Sequence, residues 1–201
     1  MRSQLTPDIK QSLRRSLRLK EYNYSQEGAY FMTICTHRHN CLFGEIVDSA
    51  MMLNAFGEIV HDEWMQTAIA RPNVTIDTFV VMPNHLHGII IVNGTNIRRG
   101  DPAGRPYTPD HPRGPVPGSV GAIIGQFKSL ATKRINALRH TPGNRAWQRN
   151  YYEHVIRNEN DLNEIRQYTL DNPVKWDVDE NNPDRQMNEL KPRGELICQT
   201  R

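Results

Sequence analysis

The stretch Val80-Val81-Met82-Pro83-Asn84-His85-Leu86-His87-Gly88-Ile89-Ile90-Ile91-Val92 constrains the fold more than any other part of the chain. Two apolar runs flank a short polar turn, and the second opens on His-Leu-His. Along a β-strand the side chains at i and i+2 point to one face, roughly 6–7 Å apart. His85 and His87 therefore project together, within reach of a single metal ion, while Leu86 points to the other face. Residues 89–92 continue without polar alternation, the pattern of a strand covered on both sides and hence central in a sheet. Pro83-Asn84 supplies the turn that pairs this strand with residues 75–81. Histidines at this spacing also occur as half-buried strand residues bonded to backbone, so spacing alone leaves the metal reading open.

The remaining elements arrange themselves around that hairpin. Residues 29–37 are rich in Tyr, Phe, Ile and Thr and form a first strand, with residues 41–47 as a short strand extension. Between them His37 and His39 repeat the H-x-H spacing in a loop. Arg38 sits between them and is a poor neighbour for a cation, so this pair is set aside as a metal site, with phosphate contact left open. Residues 54–70 show helical spacing, with Asn54 as N-cap and Arg71-Pro72 as stop. Residues 119–140 form a second helix capped by Ser119, with Lys128, Lys133, Arg134 and Arg139 on its exposed side. Residues 146–157 form the last strand. Asn158 caps a final helix whose first turn holds Glu159 and Asp161, both favourable to the helix dipole. The order β-α-β-β-α-β followed by a helix predicts an α+β, ferredoxin-like (split βαβ) antiparallel sheet with helices on one face, plus a C-terminal tyrosine-bearing helix.

Four segments are expected: a basic N-terminal arm at 1–26, a folded unit at 27–176, a flexible Pro/Gly insertion within it at 93–118 and a polar, loosely packed tail at 177–201. The insertion holds six Pro and five Gly in 26 residues and cannot form a core. Hydrophobic residues make up only 37% of the 201-residue chain, which fits such unpacked segments. Net charge is +3, but residues 1–20 carry six bases, Arg14, Arg15 and Arg18 among them, against one acid, whereas the tail carries six acids against four bases. A basic arm suits a polyanionic partner; a solvated tail with no partner is the plain alternative. No apolar run approaches the roughly 20 residues that span a bilayer, and the N-terminus lacks a signal-peptide core. Cys35, Cys41 and Cys198 form no C-x-x-C pair. The expected setting is cytoplasmic and reducing, without a membrane partner.

On the final helix Tyr168 and Asn172 lie one turn apart on one face, beside a docking stripe of Leu162, Ile165 and Thr169. By itself such a tyrosine reads as core, and an Asn before Pro reads as a helix stop. Taken together, however, Pro83-Asn84-His85-Leu86-His87-Gly88 and Tyr168-Thr169-Leu170-Asp171-Asn172-Pro173-Val174 resemble the HUH single-tyrosine transposases. The similarity is greatest to the REP-associated tyrosine transposases, which the run Trp147 to Arg157 also resembles. Thr169 stands where that family usually has an aliphatic residue.

The resemblance implies a mechanism. His85 and His87 would bind one Mg2+ or Mn2+, with Asn172 supplying an oxygen, and Tyr168 would attack the scissile phosphate to leave a 5′-phosphotyrosine and a free 3′-hydroxyl. The implied substrate is single-stranded DNA carrying a hairpin, and the implied assembly is a monomer or a homodimer. Arg14, Arg15, Arg18, Lys128, Lys133 and Arg134 are candidate DNA contacts. A non-catalytic module that binds single-stranded nucleic acid on the same fold is the competing reading, although the inner strands lack the Gly/aromatic run that RNA-stacking sheets carry. A zinc hydrolase using His85, His87 and a third ligand is a further reading, disfavoured by the absence of H-E-x-x-H or a cysteine pair.

Overall fold

The computed structural model describes residues 26–94 and 118–185. The basic arm with Arg14, Arg15 and Arg18, most of the Pro/Gly segment and the chain from residue 186 onward lie outside the described residues. In chain order the elements are β1 (Gly28–Cys35), β2 (Gly44–Val47), β3 (Ala50–Leu53), α1 (Ala55–Ile69), β4 (Val74–Met82), β5 (His85–Val92), α2 (Val120–Leu138), β6 (Tyr152–Ile156) and α3 (Glu159–Leu170). Four strands form one antiparallel sheet in the order β4-β5-β1-β6. The two inner strands are thus the first strand and the histidine strand, as the element order predicts.

The predicted caps are in place. Asn54 accepts hydrogen bonds from the backbone of Phe56 and Gly57, Ser119 from Ala122, and Asn158 from Asp161. The hairpin β2–β3 is a difference from the sequence reading, which expected only a strand extension over 41–47. Its two-residue turn, Asp48-Ser49, puts both residues in the left-handed region, with φ of 49° and 63°. Such turns usually announce themselves with glycine, and this one does not. The last strand is also shorter than expected. Residues 146 and 147 instead run beside the end of β1, through a single bridge between Thr36 and Trp147.

Strand periodicity divides the sheet into two faces with different cores. Tyr30, Met32 and Ile34 of β1, with Leu86 and Ile90 of β5, pack against Trp64 of α1 and Ile123, Ile124 and Phe127 of α2. Fully burying side chains of this size contributes about 1.5–3 kcal/mol each. Gly88 makes the α1 contact possible: a Cβ there would stand 2.5 Å from the Trp64 ring. The opposite face carries Phe31 and Ile89, covered by Leu162, Ile165 and Tyr168 of α3. His85 and His87 share the strand parity of Ile89 and so lie on this second face. The docking stripe read from α3 therefore closes over the histidine side of the sheet.

One ion pair sets where α3 sits. Arg166 grips Asp77 in a fork, Nε to Oδ1 at 2.9 Å and an outer nitrogen to Oδ2 at 2.7 Å. Asp77 lies at the irregularity of β4 between Ile76 and Phe79, where its Oδ1 also accepts from the Thr78 backbone and hydroxyl. The Arg166 hydrogen bonds, joined by those from Thr78 and opposed by burial, hold the Asp77 carboxyl down at about 2. A carboxylate with a depressed folded pKa contributes stability above its unfolded pKa and loses it as pH falls through the folded value. Asp77→Asn is therefore expected to cost about 1–2 kcal/mol at neutral pH, the estimate being reduced because Arg166 is partly solvated. The gap between variant and parent should close as pH drops from about 4 towards 2, measured by urea melts across that range. A pH-independent gap would show that the fork carries no such linkage.

The expectation of a loosely packed tail is corrected for its described part. After a 3-10 turn at Trp176–Val178 the chain folds back across the open end of β1 and β5. Asn84 Nδ2 donates to the Asn181 carbonyl at 2.6 Å, and the Cys35 thiol donates to Asn181 Oδ1 at 3.7 Å. Asn182 is buried, with its Nδ2 bonded to the Trp176 carbonyl. Polar side chains make these contacts, so hydropathy gives no sign of them. No helix among the described residues is long and apolar enough to cross a membrane.

Candidate metal and nucleophile centre

The two histidines of β5 are held from behind. His85 is fully buried, and His87 is nearly so. His85 Nδ1 lies 2.8 Å from Asn84 Oδ1. That oxygen can only accept, because Asn84 Nδ2 is spent on the carbonyls of His39 and Asn181. His85 Nδ1 must therefore carry the proton, leaving Nε2 with a bare lone pair. His87 Nδ1 lies 2.9 Å from Thr33 Oγ1, its cross-strand neighbour on β1. The two Nε2 atoms face each other at 3.0 Å. A threonine hydroxyl both donates and accepts, so Thr33 can accept from Nδ1–H and free the second Nε2 lone pair as well. Backing of this kind, with one ring nitrogen anchored and the other presented, is how metal-ligating histidines are commonly oriented. Burial depresses both imidazoles. His85 is lowered to about 3, with Asn172 partly opposing the shift and the charge of His39 adding to it. His87 falls well below its ordinary value, from burial and then from His85. Both rings are neutral near pH 7 and available as ligands.

Two further groups close on the pair. Asn172, one turn beyond Tyr168, is buried, and its Nδ2 leans back to the Tyr168 carbonyl at 3.4 Å. Its Oδ1 is buried with no hydrogen-bond partner among the described residues. The Asn172 amide is close enough to bias the titration of both His85 and Tyr168 without a hydrogen bond of ordinary geometry. An acceptor buried without a donor costs about 1–3 kcal/mol, and a cation at that point would satisfy it. Asp179 completes the group: one donor atom each from His85, His87 and Asp179 lies within 4.8 Å of the others. Burial raises the Asp179 carboxyl, with partial relief from Asn181. Sequence reasoning missed Asp179. It stands in an ordinary acidic run, and only the turn at 176–178 aims it inward.

Tyr168 enters the same space from α3. Its hydroxyl is 3.4 Å from His87 Nε2, and its ring meets His87 at 5.3 Å and Phe31 edge-on at 6.0 Å. Burial raises its pKa; Asn172 lowers it, while Asp179, Glu180 and Tyr152 raise it further. The phenol is protonated at rest. Two imidazole lone pairs, an orphan amide oxygen, a carboxylate and a phenol thus meet in one spot. This donor set suits a divalent cation and a phosphate.

The other candidates lie apart from this centre. His37 and His39 sit in the loop after β1, where His39 touches Gln148 at 2.7 Å and holds Asn84 through its carbonyl. On α2, which covers the opposite face of the sheet, Lys128 donates to the carbonyls of Gln148, Arg149 and Asn150. Burial lowers the Lys128 ammonium to about 8, with Cys35 opposing the shift. Arg134 is paired with Glu63 at 2.9 Å and Asp62 at 3.4 Å. Lys133 is exposed. Lys128 and Arg134 are thus each bound to neighbouring groups of the protein, Arg134 at its surface, which a count of bases does not reveal.

Comparison with known proteins adds two findings. The chain is 41% identical over 168 residues to an uncharacterized protein of Haemophilus influenzae (strain Rd), covering 83% of this chain and 92% of that one. Its fold matches that of a REP-associated tyrosine transposase whose structure contains a REP hairpin, with a TM-score of 0.52, 20% identity and coverage of 79% of this chain and 74% of the other. No protein-family model matches the chain.

Proposed function

We propose a function on this footing: the chain belongs to one family with the Haemophilus influenzae protein, and its fold is that of a REP-associated tyrosine transposase. The reading is a metal-dependent enzyme that nicks and rejoins hairpin-bearing single-stranded DNA through a 5′-phosphotyrosine. The observation that carries it is the convergence of the Tyr168 hydroxyl on the paired Nε2 atoms of His85 and His87. The catalytic unit is assigned to residues 27–176, with the strap that carries Asp179 added to it.

His85 and His87, with Asp179 and Asn172, would hold one divalent cation. When bound, it supplies Lewis-acid polarisation of the scissile phosphate and offsets charge in the transition state. Imidazole ligands favour Mn2+ in affinity, and Mg2+ is the alternative. Asn84 and Thr33 keep the imidazoles turned inward. Tyr168 oxygen forms the new bond to phosphorus as the bond to the 3′-oxygen breaks; the phenol gives up its proton and the departing 3′-oxygen takes one up as the free 3′-hydroxyl, so the step involves no net change in protons. Because burial raises Tyr168, that proton is still present when substrate arrives. The phosphodiester energy stays in the covalent link, so a second 3′-hydroxyl can reverse the step and join strands. Tyr168 and Asn172 sit on one rigid turn, which fixes nucleophile and ligand together.

A base-stacking platform on the sheet is disfavoured, because α3 covers the face that would have to be open. The test is to incubate the protein with labelled hairpin-bearing single-stranded DNA and Mn2+, then map any adduct by mass spectrometry. A 5′-phosphotyrosine on Tyr168 is expected. Metal-dependent cleavage with no covalent adduct would instead indicate water as the nucleophile and overturn the reading.

A further inference from the structure

We propose that the groove between α2 and the segment 143–149 binds the sugar-phosphate backbone of a duplex stem, while the adjoining single strand would be cut at the centre. The inference rests on hairpin DNA being the substrate. The groove has a volume of about 410 Å³ and adjoins a second hollow of about 520 Å³, with Asn136 and Gly143 common to both. No Asp or Glu lines either one. Lys133, Arg145 and Arg149 do, each exposed and without an ion-pair partner among the described residues. Arg134, the next residue along the same helix, is neutralised by Asp62 and Glu63 outside the groove. Three uncompensated cations, with no acid among them, therefore face this one surface.

The wall is rigid. Lys128 ties the carbonyls of Gln148, Arg149 and Asn150 to α2, which fixes the backbone that carries Arg149. Three residues of chain lie between Arg145 and Arg149, which are at most ~13 Å apart along the backbone. That is the axial rise of about four nucleotides at 3.4 Å per strand. Trp147, the aromatic residue of the lining, is buried and packs on Phe43 and Phe127. The groove therefore offers charge without an exposed ring. Single-strand binding surfaces combine charge with stacking rings, whereas a duplex stem presents phosphates that need only charge.

A chain of hydrogen bonds links the groove wall to the centre. Gln148 donates from its backbone to Cys35 at the end of β1, and its side chain meets the His39 ring at 2.7 Å. The His39 carbonyl accepts from Asn84, which orients His85.

The experiment measures binding of full-length protein to two DNA probes across a salt series. One probe is a hairpin with a stem of about one helical turn and a single-stranded extension; the other is the extension alone. Arg145→Gln/Arg149→Gln is compared with the parent and with Arg134→Gln. Each phosphate contact to duplex contributes about 0.9 to the log–log salt slope. The double variant should lose about 1.8 of that slope on the hairpin and bind it at least tenfold more weakly, with little change on the extension alone. Arg134→Gln should match the parent. An unchanged slope, an equal loss on the stemless probe or an equal loss in Arg134→Gln would overturn the proposal. The Tyr168 adduct is scored in the same samples. An adduct with no slope change removes the groove and keeps the chemistry; a slope change with no adduct does the reverse.

Discussion

Tyr168→Phe is expected to abolish the covalent protein–DNA adduct and to leave the fold intact. The ring is what packs: it meets Phe31 and His87 and closes the small core formed with Ile89 and Ile156. Only one oxygen is removed, and its hydrogen-bond contact, to His87, is a long 3.4 Å. The stability cost should stay below about 1 kcal/mol. The chemical cost is far larger, because removing a nucleophile typically lowers rate by 10³-fold or more. Asn172→Ala should behave differently. It removes the orphan oxygen but not the nucleophile, so some adduct should survive at raised metal concentration. Tyr152 is the nearest rival. It is half-buried, edge-on to Phe31 at 6.4 Å, and packs into the same core as Tyr168. Tyr151 turns to the opposite core, so neither tyrosine is the solvent-facing one that strand alternation alone suggests. Adduct retained by Tyr168→Phe and mapped to Tyr152 would mean that the nucleophile has been assigned to the wrong element.

The second large effect concerns the metal. His85→Ala and His87→Ala should each lower divalent-dependent cleavage by at least about 100-fold, as expected for losing one of few ligands. A readout without turnover is available. A cation bound to the folded state alone stabilises it by about 2.7 kcal/mol at a hundredfold excess over Kd, so Mn2+ should raise the melting temperature of the parent. That rise should disappear in either variant. Because both rings are buried and His87 stacks on Phe31 at 5.4 Å, truncation also leaves a cavity costing about 2–4 kcal/mol. His87→Gln keeps more of the volume and separates ligand loss from packing loss. His39→Ala, in the loop outside the donor group, should keep the Mn2+ response. A full response in both His85 and His87 variants would remove the metal assignment. Loss of the response only in His39→Ala would transfer it to the other H-x-H pair.

Much of the architecture was legible because it depends on local periodicity. An unbroken apolar run identified β5 as a central strand, and capping residues marked where each helix begins. The hairpin β2–β3 was not legible, since Asp48 and Ser49 adopt a turn that favours glycine elsewhere. The strap over residues 177–182 was missed for a related reason. Its anchors, Asn84 to Asn181 and Asn182 to Trp176, are polar contacts that no hydropathy pattern records.

The same division runs through the candidate site. A period of two put His85 and His87 on one face of a strand, and a period of 3.6 put Tyr168 and Asn172 on one face of a helix. Both follow from backbone geometry and need no partner. Which sheet face α3 would cover was not contained in either period, because both faces of β5 are apolar beyond the histidines. Long-range packing decided it, through Leu162 and Ile165 on Phe31 and Ile89 and through the Arg166–Asp77 fork. The fold alone also brought in Asp179 and spent Lys128 and Arg134 on internal partners. A charge in the sequence shows what a side chain can bind, and its neighbours in space determine what it does bind.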